Sequence, residues 1–333
     1  MSAADERDGC PLCGSHAVSA LCAKFGLDLV KCKGCGLIYA DPGLSQAELL
    51  KRYDSPAFFD EYLRALHATP SGYDLEFLER HYRLFLDFLQ KFQAPGRRLL
   101  DAGCGAGFFL KTAEARGWIA EGVEVSAPAA AYARDITGVC VRHGRLEDKL
   151  FSGAAFDVVT LLDLIEHLPD PIGAIKETWR LLKPGGILIL STPDFNSLSR
   201  FILGKAWAVL SPAEHLINFT EATLSLALSA AGFHIIGIRN LFIFNPEYSH
   251  DKSKKAAVRW KRAHARLEQK KLMDHIHGFE YLDLMHIGEV KAPHMEGMRF
   301  SKRLSRMAYL WAKRWLRGDM LVAAAQKPPL VGR

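Results

Sequence analysis

No apolar run in the chain approaches the roughly 20 residues that span a bilayer, which leaves no candidate membrane span. A basic-then-apolar leader is missing too: the opening MSAADERDG is polar. Nor is there much excess charge, with 43 Lys and Arg against 37 Asp and Glu. A net +6 is too mild by itself to argue for nucleic acid as partner. These absences lead to the expectation of a cytoplasmic protein. What is present is ordinary globular composition, 49% apolar and 24% charged, over 333 residues. That length allows two or three structural units around a large core.

Four of the seven cysteines fall as Cys10-x2-Cys13 and Cys32-x2-Cys35. Two such pairs, about 18 residues apart, predict a tetrahedral four-thiolate Zn2+ site. Each pair makes a knuckle with two thiolates facing one point, and Gly14, Gly34 and Gly36 ease the turns. Four thiolates leave no open coordination position, so the zinc would be structural. Cys22, Cys104 and Cys140 have no partner pattern and read as buried thiols.

From about Arg97 short apolar runs alternate with helix-spaced segments. RRLLDAG, IAEGVEVS, VCVRHG, FDVVTLLD and GILILSTP read as strands; FFLKTAEARG, APAAAYARDI and PIGAIKETWRLL read as helices. That alternation predicts a parallel sheet covered on both faces. Ahead of it, LEFLERHYRLFLDFLQKF (75–92) has helix-spaced Leu and Phe and is expected to pack at the sheet edge.

The first of these strands ends in LLDAGCGAGFFL. The glycines here are Gly103, Gly105 and Gly107, and Phe108 occupies the position where the third glycine of a dinucleotide-binding turn would fall. Asp101, just ahead, repels phosphate and suits a cationic ligand. Glu124 closes the second strand about 20 residues on, placed to accept both hydroxyls of a ribose. A ligand with a ribose, a positive group and no phosphate is S-adenosylmethionine.

On these residues the chain resembles the class I S-adenosylmethionine-dependent methyltransferases, whose glycine turn reads D-x-G-x-G-x-G. The likeness runs from about Leu99 to Phe233. RLLKPGGILILSTP (180–193) resembles the family's helix, turn and fifth strand. GDMLVAAAQKP (318–328) resembles its last strand, which inserts antiparallel beside the fifth. The resemblance implies an α/β, Rossmann-like seven-stranded sheet, mostly parallel. Asp101, Gly103, Gly105 and Gly107 would then face the methionine part of the ligand, Glu124 the ribose and Glu147 the adenine.

LLDLIEH (161–167) falls at the carboxyl end of the fourth strand, where open parallel sheets bind ligands. Asp163, Glu166 and His167 stand at i, i+3 and i+4 and share one face if a helical turn begins there. Three roles compete. They orient the acceptor, with His167 as general base. They hold a Mg2+ ion that acidifies an acceptor hydroxyl. Or they are structural, a first-turn acid beside a packed histidine. The second is similar to ubiquinone-pathway and small-RNA 2′-O-methyltransferases, which show Glu-x-x-Glu-His. Asp163 departs from that pattern and is a candidate contact to the sulfonium ligand. In SPAEHLINFT (211–220), His215 is a second candidate base or further metal ligand, ahead of a helix opened by Thr220. Phe201, Leu203 and Trp207 between them roof the acceptor or pack in the core.

The basic excess sits late: DKSKKAAVRWKRAHARLEQKKL reads as a basic helix. RFSKRLSRMAYLWAKRWLR puts Phe300, Leu304, Met307, Trp311 and Trp315 on one stripe. The stripe fits a lid over the catalytic domain, or peripheral contact with the inner membrane surface. The expected organisation is a zinc ribbon (1–45), a helical linker or lid (46–96), a methyltransferase core (97–244), a basic helical insertion (245–317) and a final core strand (318–333). The expected reaction is O-methylation of a sugar, a glycan or lipid-linked sugar, or another small-molecule hydroxyl. RNA methylation, and a zinc-ribbon binding module with a non-catalytic fold, are the alternatives.

Overall fold

The computed structural model describes residues 9–207, 209–241 and 319–329. The basic insertion expected over 245–317, with its stripe, lies outside the described residues, as does the end of the tail. The first half begins with β1 (Val18–Lys24), β2 (Leu27–Cys32) and β3 (Ile38–Ala40), followed by α1 (Gln46–Tyr53), α2 (Pro56–Ala65) and α3 (Leu75–Leu89). It continues through β4 (Arg98–Ala102), α4 (Phe108–Ala115), β5 (Ile119–Glu124), α5 (Ala127–Tyr132) and β6 (Cys140–His143). The second half holds β7 (Phe156–Leu162), α6 (Pro171–Leu181), β8 (Leu182–Pro193), α7 (Leu198–Leu203), β9 (Ile217–Asn218), α8 (Glu221–Ala230), β10 (His234–Leu241) and β11 (Met320–Gln326).

Seven strands form one sheet in the order β10-β11-β8-β7-β4-β5-β6. The five strands from β8 to β6 run parallel, and β11 inserts antiparallel between β8 and β10. The near-continuous apolar runs of β7 and β8 follow from burial on both faces. Helix starts are set by local chemistry. Asp74 accepts from Phe77 N–H at 3.1 Å to cap α3; Asp170 accepts from Gly173 N–H at 2.8 Å ahead of Pro171 in α6; Thr220 and Thr223 cap α8 reciprocally.

The apolar stripe of α3 covers more than the sheet edge expected for it. Phe85, Leu86, Phe88 and Leu89 share one cluster with Leu99, Val158, Ile189, Val322 and Ala324, so the helix lies across a face built from β4, β7, β8 and β11.

The cysteine head is tied into this body. Its sheet runs β1-β2-β3-β9, and the fourth strand comes from beyond α7, with Ile38 paired to Asn218 and Tyr39 to Ile217. Cys10, Cys32, Leu37 and Tyr39 share a buried cluster with Leu216, Phe219 and the residues beneath β7 and β8. Trp207 is buried among Leu29, Ile38, Phe195 and Leu210, with Leu203 packed alongside, whereas Phe201 is 76% exposed. None of the three lines the large cavity described below; packing, not roofing, is the observed role of Trp207 and Leu203. Of the unpatterned cysteines Cys104 is buried as expected, Cys22 is half-buried, and Cys140 is exposed on the edge strand β6.

Candidate active site

Strand order reverses at β4: the chain passes to β5 and β6 on one side, then returns to place β7 on the other. Ligands of open α/β sheets bind outside the strand ends at such a point. A cavity of about 1020 Å³ lies there, at the upper end of the roughly 300–1,000 Å³ usual for small-molecule clefts. Asp101, Gly103 and Gly105 line it from β4, Glu124 from β5, Glu147 from the turn after β6, and Asp163 and His167 from the end of β7.

The glycine turn is a cradle that side chains would fill. Gly103, Gly105 and Gly107 have φ of +70°, +52° and +77°, the left-handed region. A Cβ on Gly103 would meet Leu164 at 2.8 Å, and one on Gly105 would collide with the Tyr62 hydroxyl. Asp101 is 3% exposed and accepts from Thr160 Oγ1 at 2.6 Å. Burial, reinforced by the charge of Glu124 and only partly offset by Thr160, pushes Asp101 up to about 7. A buried acid held near its neutral form gains by meeting a cation. Glu124 is also pushed up by burial, against hydrogen bonds from backbone N–H groups that oppose the shift. Its Oε2 accepts from Gly105 N–H at 2.8 Å and its Oε1 from Ser126 N–H at 2.7 Å. Those bonds fix the carboxylate across the cradle, and each oxygen keeps a second lone pair for a ligand hydroxyl. Glu147 is exposed on a short 3-10 turn at the cavity wall.

Helices α1 and α2, within the segment expected as a helical linker or lid, line the cavity as a roof; Tyr53 and Tyr62 on them carry no motif of their own. Ser126 Oγ donates to the Tyr53 carbonyl at 2.8 Å, and Ala127 N–H donates to Asp54 Oδ1 at 3.0 Å. Tyr62 sits over Gly105 and accepts from Ala106 N–H at 3.4 Å. Arg52 pairs with Glu214.

The ionisable groups after β7 are arranged differently from the face expected. Asp163 is left-handed (φ +50°), a conformation Asp tolerates better than most residues. It is locked to β8: its N–H donates to Ser191 Oγ at 2.9 Å, and Ser191 Oγ–H donates to its Oδ1 at 2.8 Å. The chain then makes a 3-10 turn over Ile165–His167, and the group that comes together is Glu166, His167 and His215. One ligand atom from each lies within 4.8 Å of the others. Asp163, expected as the third member, stands apart from them. His167 faces the cavity; Glu166, 2% exposed, and the half-buried His215 stand behind it and are absent from the wall.

Burial, then the neighbouring His215, pushes His167 down to about 3, so its ring is neutral at physiological pH. Its Nδ1 is 3.1 Å from the Tyr53 hydroxyl, and the His167 and His215 rings pack edge to face at 4.7 Å. His215 Nδ1 lies 2.6 Å from the Val209 carbonyl, which can only accept, so Nδ1 carries the proton. Burial and the Asp163 charge push Glu166 well up, and its buried Oε2 has no hydrogen-bond partner. A buried carboxylate with one unpartnered oxygen, clustered with two imidazoles, is a donor set that a cation would satisfy.

A second donor set lies in the cysteine head. Cys10 and Cys35 sulfurs are 3.6 Å apart, Cys13 and Cys32 3.5 Å, and all four fall within 4.8 Å. Thiolates 2.3 Å from one tetrahedral zinc would be ~3.8 Å from each other, so the cluster fits zinc binding. The two knuckles repeat one hydrogen-bond plan. Gly14 N–H donates to the Cys10 carbonyl at 2.8 Å and Gly36 N–H to that of Cys32 at 3.0 Å. Cys10 N–H donates to the Ser15 carbonyl and Cys32 N–H to the Leu37 carbonyl.

The profile of a family described as a methyltransferase domain matches residues 75–237. A ubiquinone biosynthesis O-methyltransferase of Idiomarina loihiensis is 32% identical over 166 residues, covering 45% of this chain and 67% of that protein. Another, from Histophilus somni, is 26% identical over 192 residues, covering 49% and 80%. A solved structure of a methyltransferase dependent on S-adenosylmethionine, from Thermotoga maritima, superposes with a TM-score of 0.50 at 20% identity. It covers 81% of this chain and 97% of its own, a likeness of fold.

Proposed function

The chain belongs to the class I S-adenosylmethionine-dependent methyltransferases, and from that premise we propose that it methylates a hydroxyl oxygen of a small-molecule acceptor. A sugar, or a glycan or lipid-linked sugar, is the class its sequence resemblance favours. The observation that carries the reading is one cavity walled by Asp101, the glycine cradle, Glu124 and, at its mouth, the neutral His167. When bound, S-adenosylmethionine supplies a methyl group on a sulfonium, already a good electrophile. The protein's task is therefore alignment and proton removal.

Each wall residue has a part in that task. Asp101 offers a carboxylate to the ligand's positive charge, Glu124 offers its remaining lone pairs to the ribose diol, and Glu147 stands where adenine would lie. Asp163, fixed by Ser191, narrows the donor end of the cavity. The Tyr53 and Tyr62 roof excludes water from the transfer path. His167 keeps a ring lone pair at any physiological pH and is the wall residue placed to take the acceptor's proton. His215 acts through it, by ring contact, as a positioning residue.

A second reading is favoured by the orphaned Glu166 Oε2. In it Glu166, His167 and His215 hold a divalent cation, which would lower the pKa of a nearby acceptor hydroxyl. Two imidazoles and one carboxylate suit a transition-metal ion better than Mg2+, which prefers an all-oxygen shell. The four-cysteine cluster would hold a structural zinc. The test offers labelled S-adenosylmethionine to small-molecule, glycan, lipid and RNA fractions, with and without chelator. Label in the first three supports hydroxyl transfer to a small acceptor; label in RNA alone overturns it, and binding without transfer to any fraction favours a non-catalytic module. Loss of transfer with chelator, restored by a divalent transition ion, selects the cation reading.

A further inference from the structure

We propose that the cysteine head is a thiol-dependent latch on the donor pocket. With its four cysteines reduced and on zinc it holds residues 41–49 against the methyl donor, and oxidation of those cysteines releases the hold. The inference rests on the methyltransferase reading above and adds to it a means of control at the same pocket.

The path from the sulfurs to the pocket is short and buried. Residues 41–45 and Leu49, which follow the last of the head's first three strands, line the cavity together with Glu124 and Glu147. Leu49, Val123 and Leu146 line it too, and they belong to the same buried cluster as Cys10 and Cys32. Leu12, from the first knuckle, packs against that cluster. Backbone bonds make the same connection. Cys32 N–H donates to the Leu37 carbonyl at 2.9 Å, β2 and β3 pair from Lys31–Ile38 to Leu29–Ala40, and Asp41 N–H donates to the Asp28 carbonyl at 3.0 Å. Ala40 N–H donates to the Leu216 carbonyl at 2.8 Å, beside His215. At the far end of α1 the Tyr53 carbonyl and Asp54 accept from Ser126 and Ala127, just past Glu124. The head therefore backs a wall that the donor meets at its ribose and adenine end.

A wall built this way depends on the metal centre. Strand β1 is exposed along much of its length, so the head buries little of its own. In small units of this kind the free energy of metal binding is the free energy of order. Close-packed interiors transmit strain to their neighbours, so loss of the four-thiolate centre is felt at residues 41–49 and not only at the knuckles.

The sulfurs are also placed for oxidation. Cys13 is exposed, and its sulfur lies 3.5 Å from that of the buried Cys32; the Cys10 and Cys35 sulfurs are 3.6 Å apart. Hydrogen peroxide is an oxidant that balances the step. The Cys13 thiolate attacks one peroxide oxygen, the O–O bond breaks and hydroxide leaves, giving a sulfenic acid. The Cys32 thiolate then attacks that sulfur and displaces a second hydroxide, forming the disulfide. Two thiolates lose two electrons, the peroxide gains them, and with two protons the products are one disulfide and two waters. The two sulfurs close from 3.5 Å to about 2 Å, and a centre left with two of its four thiolates gives up Zn2+ to water. A second peroxide joins Cys10 to Cys35 in the same way.

The test uses the full chain. Calorimetry with S-adenosylhomocysteine is run on reduced zinc-loaded protein, on protein stripped by chelator in the presence of reductant, and on peroxide-treated protein. Released zinc is counted colorimetrically, and disulfides are mapped by mass spectrometry. Both zinc-free forms are expected to bind the ligand about five- to a hundredfold more weakly, with Cys13–Cys32 the first disulfide and full recovery on adding thiol and zinc. Reciprocity is the sharper readout: S-adenosylhomocysteine must raise the head's zinc affinity by the same factor, an equality that damaged protein does not show. Ligand affinity that ignores zinc, or zinc affinity that ignores ligand, overturns the latch and leaves the methyltransferase reading intact. Peroxide treatment that forms no disulfide among the four cysteines overturns it too. So does a zinc-free chain whose circular dichroism shows the whole fold lost at the assay temperature, since the effect is then denaturation. Failure of the zinc-loaded wild type to bind the ligand overturns the methyltransferase reading itself.

Discussion

Glu124→Gln is the most informative single substitution, because its two effects can be worked from the same two hydrogen bonds. The native carboxylate accepts from Gly105 N–H at 2.8 Å and from Ser126 N–H at 2.7 Å. A glutamine has one oxygen and one NH2 in that place, so one of the two backbone N–H groups must face another donor. Leaving that group unpaired costs about 1–3 kcal/mol. For a domain of 150–250 residues each kcal/mol lowers the melting temperature by about 2–4 °C, and this longer chain should move no further than that per kcal/mol. The ligand effect is separate. The variant loses one acceptor toward the ribose diol, and a bond to a charged acceptor contributes about 1.5–3 kcal/mol. That predicts roughly ten- to a hundredfold weaker binding of S-adenosylhomocysteine. Thermal unfolding reads the first effect and calorimetry the second. A 2′-deoxy analogue separates them, since it should bind wild type and variant with nearly equal affinity. A variant that melts with the wild type and binds the full ligand unchanged would refute both the cradle and the ribose assignment.

Asp101, at about 7, lies above an ordinary carboxyl. Its stabilising contribution to the folded protein is therefore full below about 4 and lost as pH rises through about 7. A cationic ligand prefers the ionised form, so affinity for S-adenosylmethionine should rise up to tenfold between pH 6 and 8 with proton release; Asp101→Asn should flatten that profile, and a flat wild-type profile would contradict the role. Because Cys10 and Cys32 are buried in the same cluster as Leu216 and Phe219, Cys32→Ala or zinc removal should lower the melting temperature of the whole chain, read by circular dichroism beside a zinc assay. An unchanged main transition would show that the head is an independent bead. His167→Ala should reduce turnover by about 10²–10⁴ with little change in donor affinity, and His215→Ala should reduce it less; unchanged kcat in both variants removes the proposed proton or cation chemistry.

The parts that could be read before the structure are those whose signal is local. Cys10, Cys13, Cys32 and Cys35 carry their ligand geometry in their spacing, and the structure brings them to one point. The glycine turn is legible because left-handed φ at Gly103, Gly105 and Gly107 selects glycine whatever lies elsewhere. The strands of the seven-stranded sheet show as apolar runs because both faces are buried.

What stayed hidden depends on distant segments. The two-residue strand Ile217–Asn218 has no pattern of its own, yet it joins the cysteine head to the main body. Helical spacing suggested Asp163 as a partner for Glu166 and His167. The backbone instead makes a left-handed step at Asp163, which Ser191 holds from the neighbouring strand, and His215 fills the place. The roof residues Tyr53 and Tyr62 sit in short amphipathic helices like any others, and only their long-range bonds to His167, Ser126 and Ala106 reveal them.

The central claim is that this cavity takes a ribose-bearing sulfur ligand with no phosphate. Calorimetric titration of the zinc-loaded full chain with S-adenosylhomocysteine tests it most directly. The account predicts one saturable site per chain, lost in Asp101→Ala combined with Glu124→Ala. No heat with that ligand, alongside saturable binding of NAD, would contradict it.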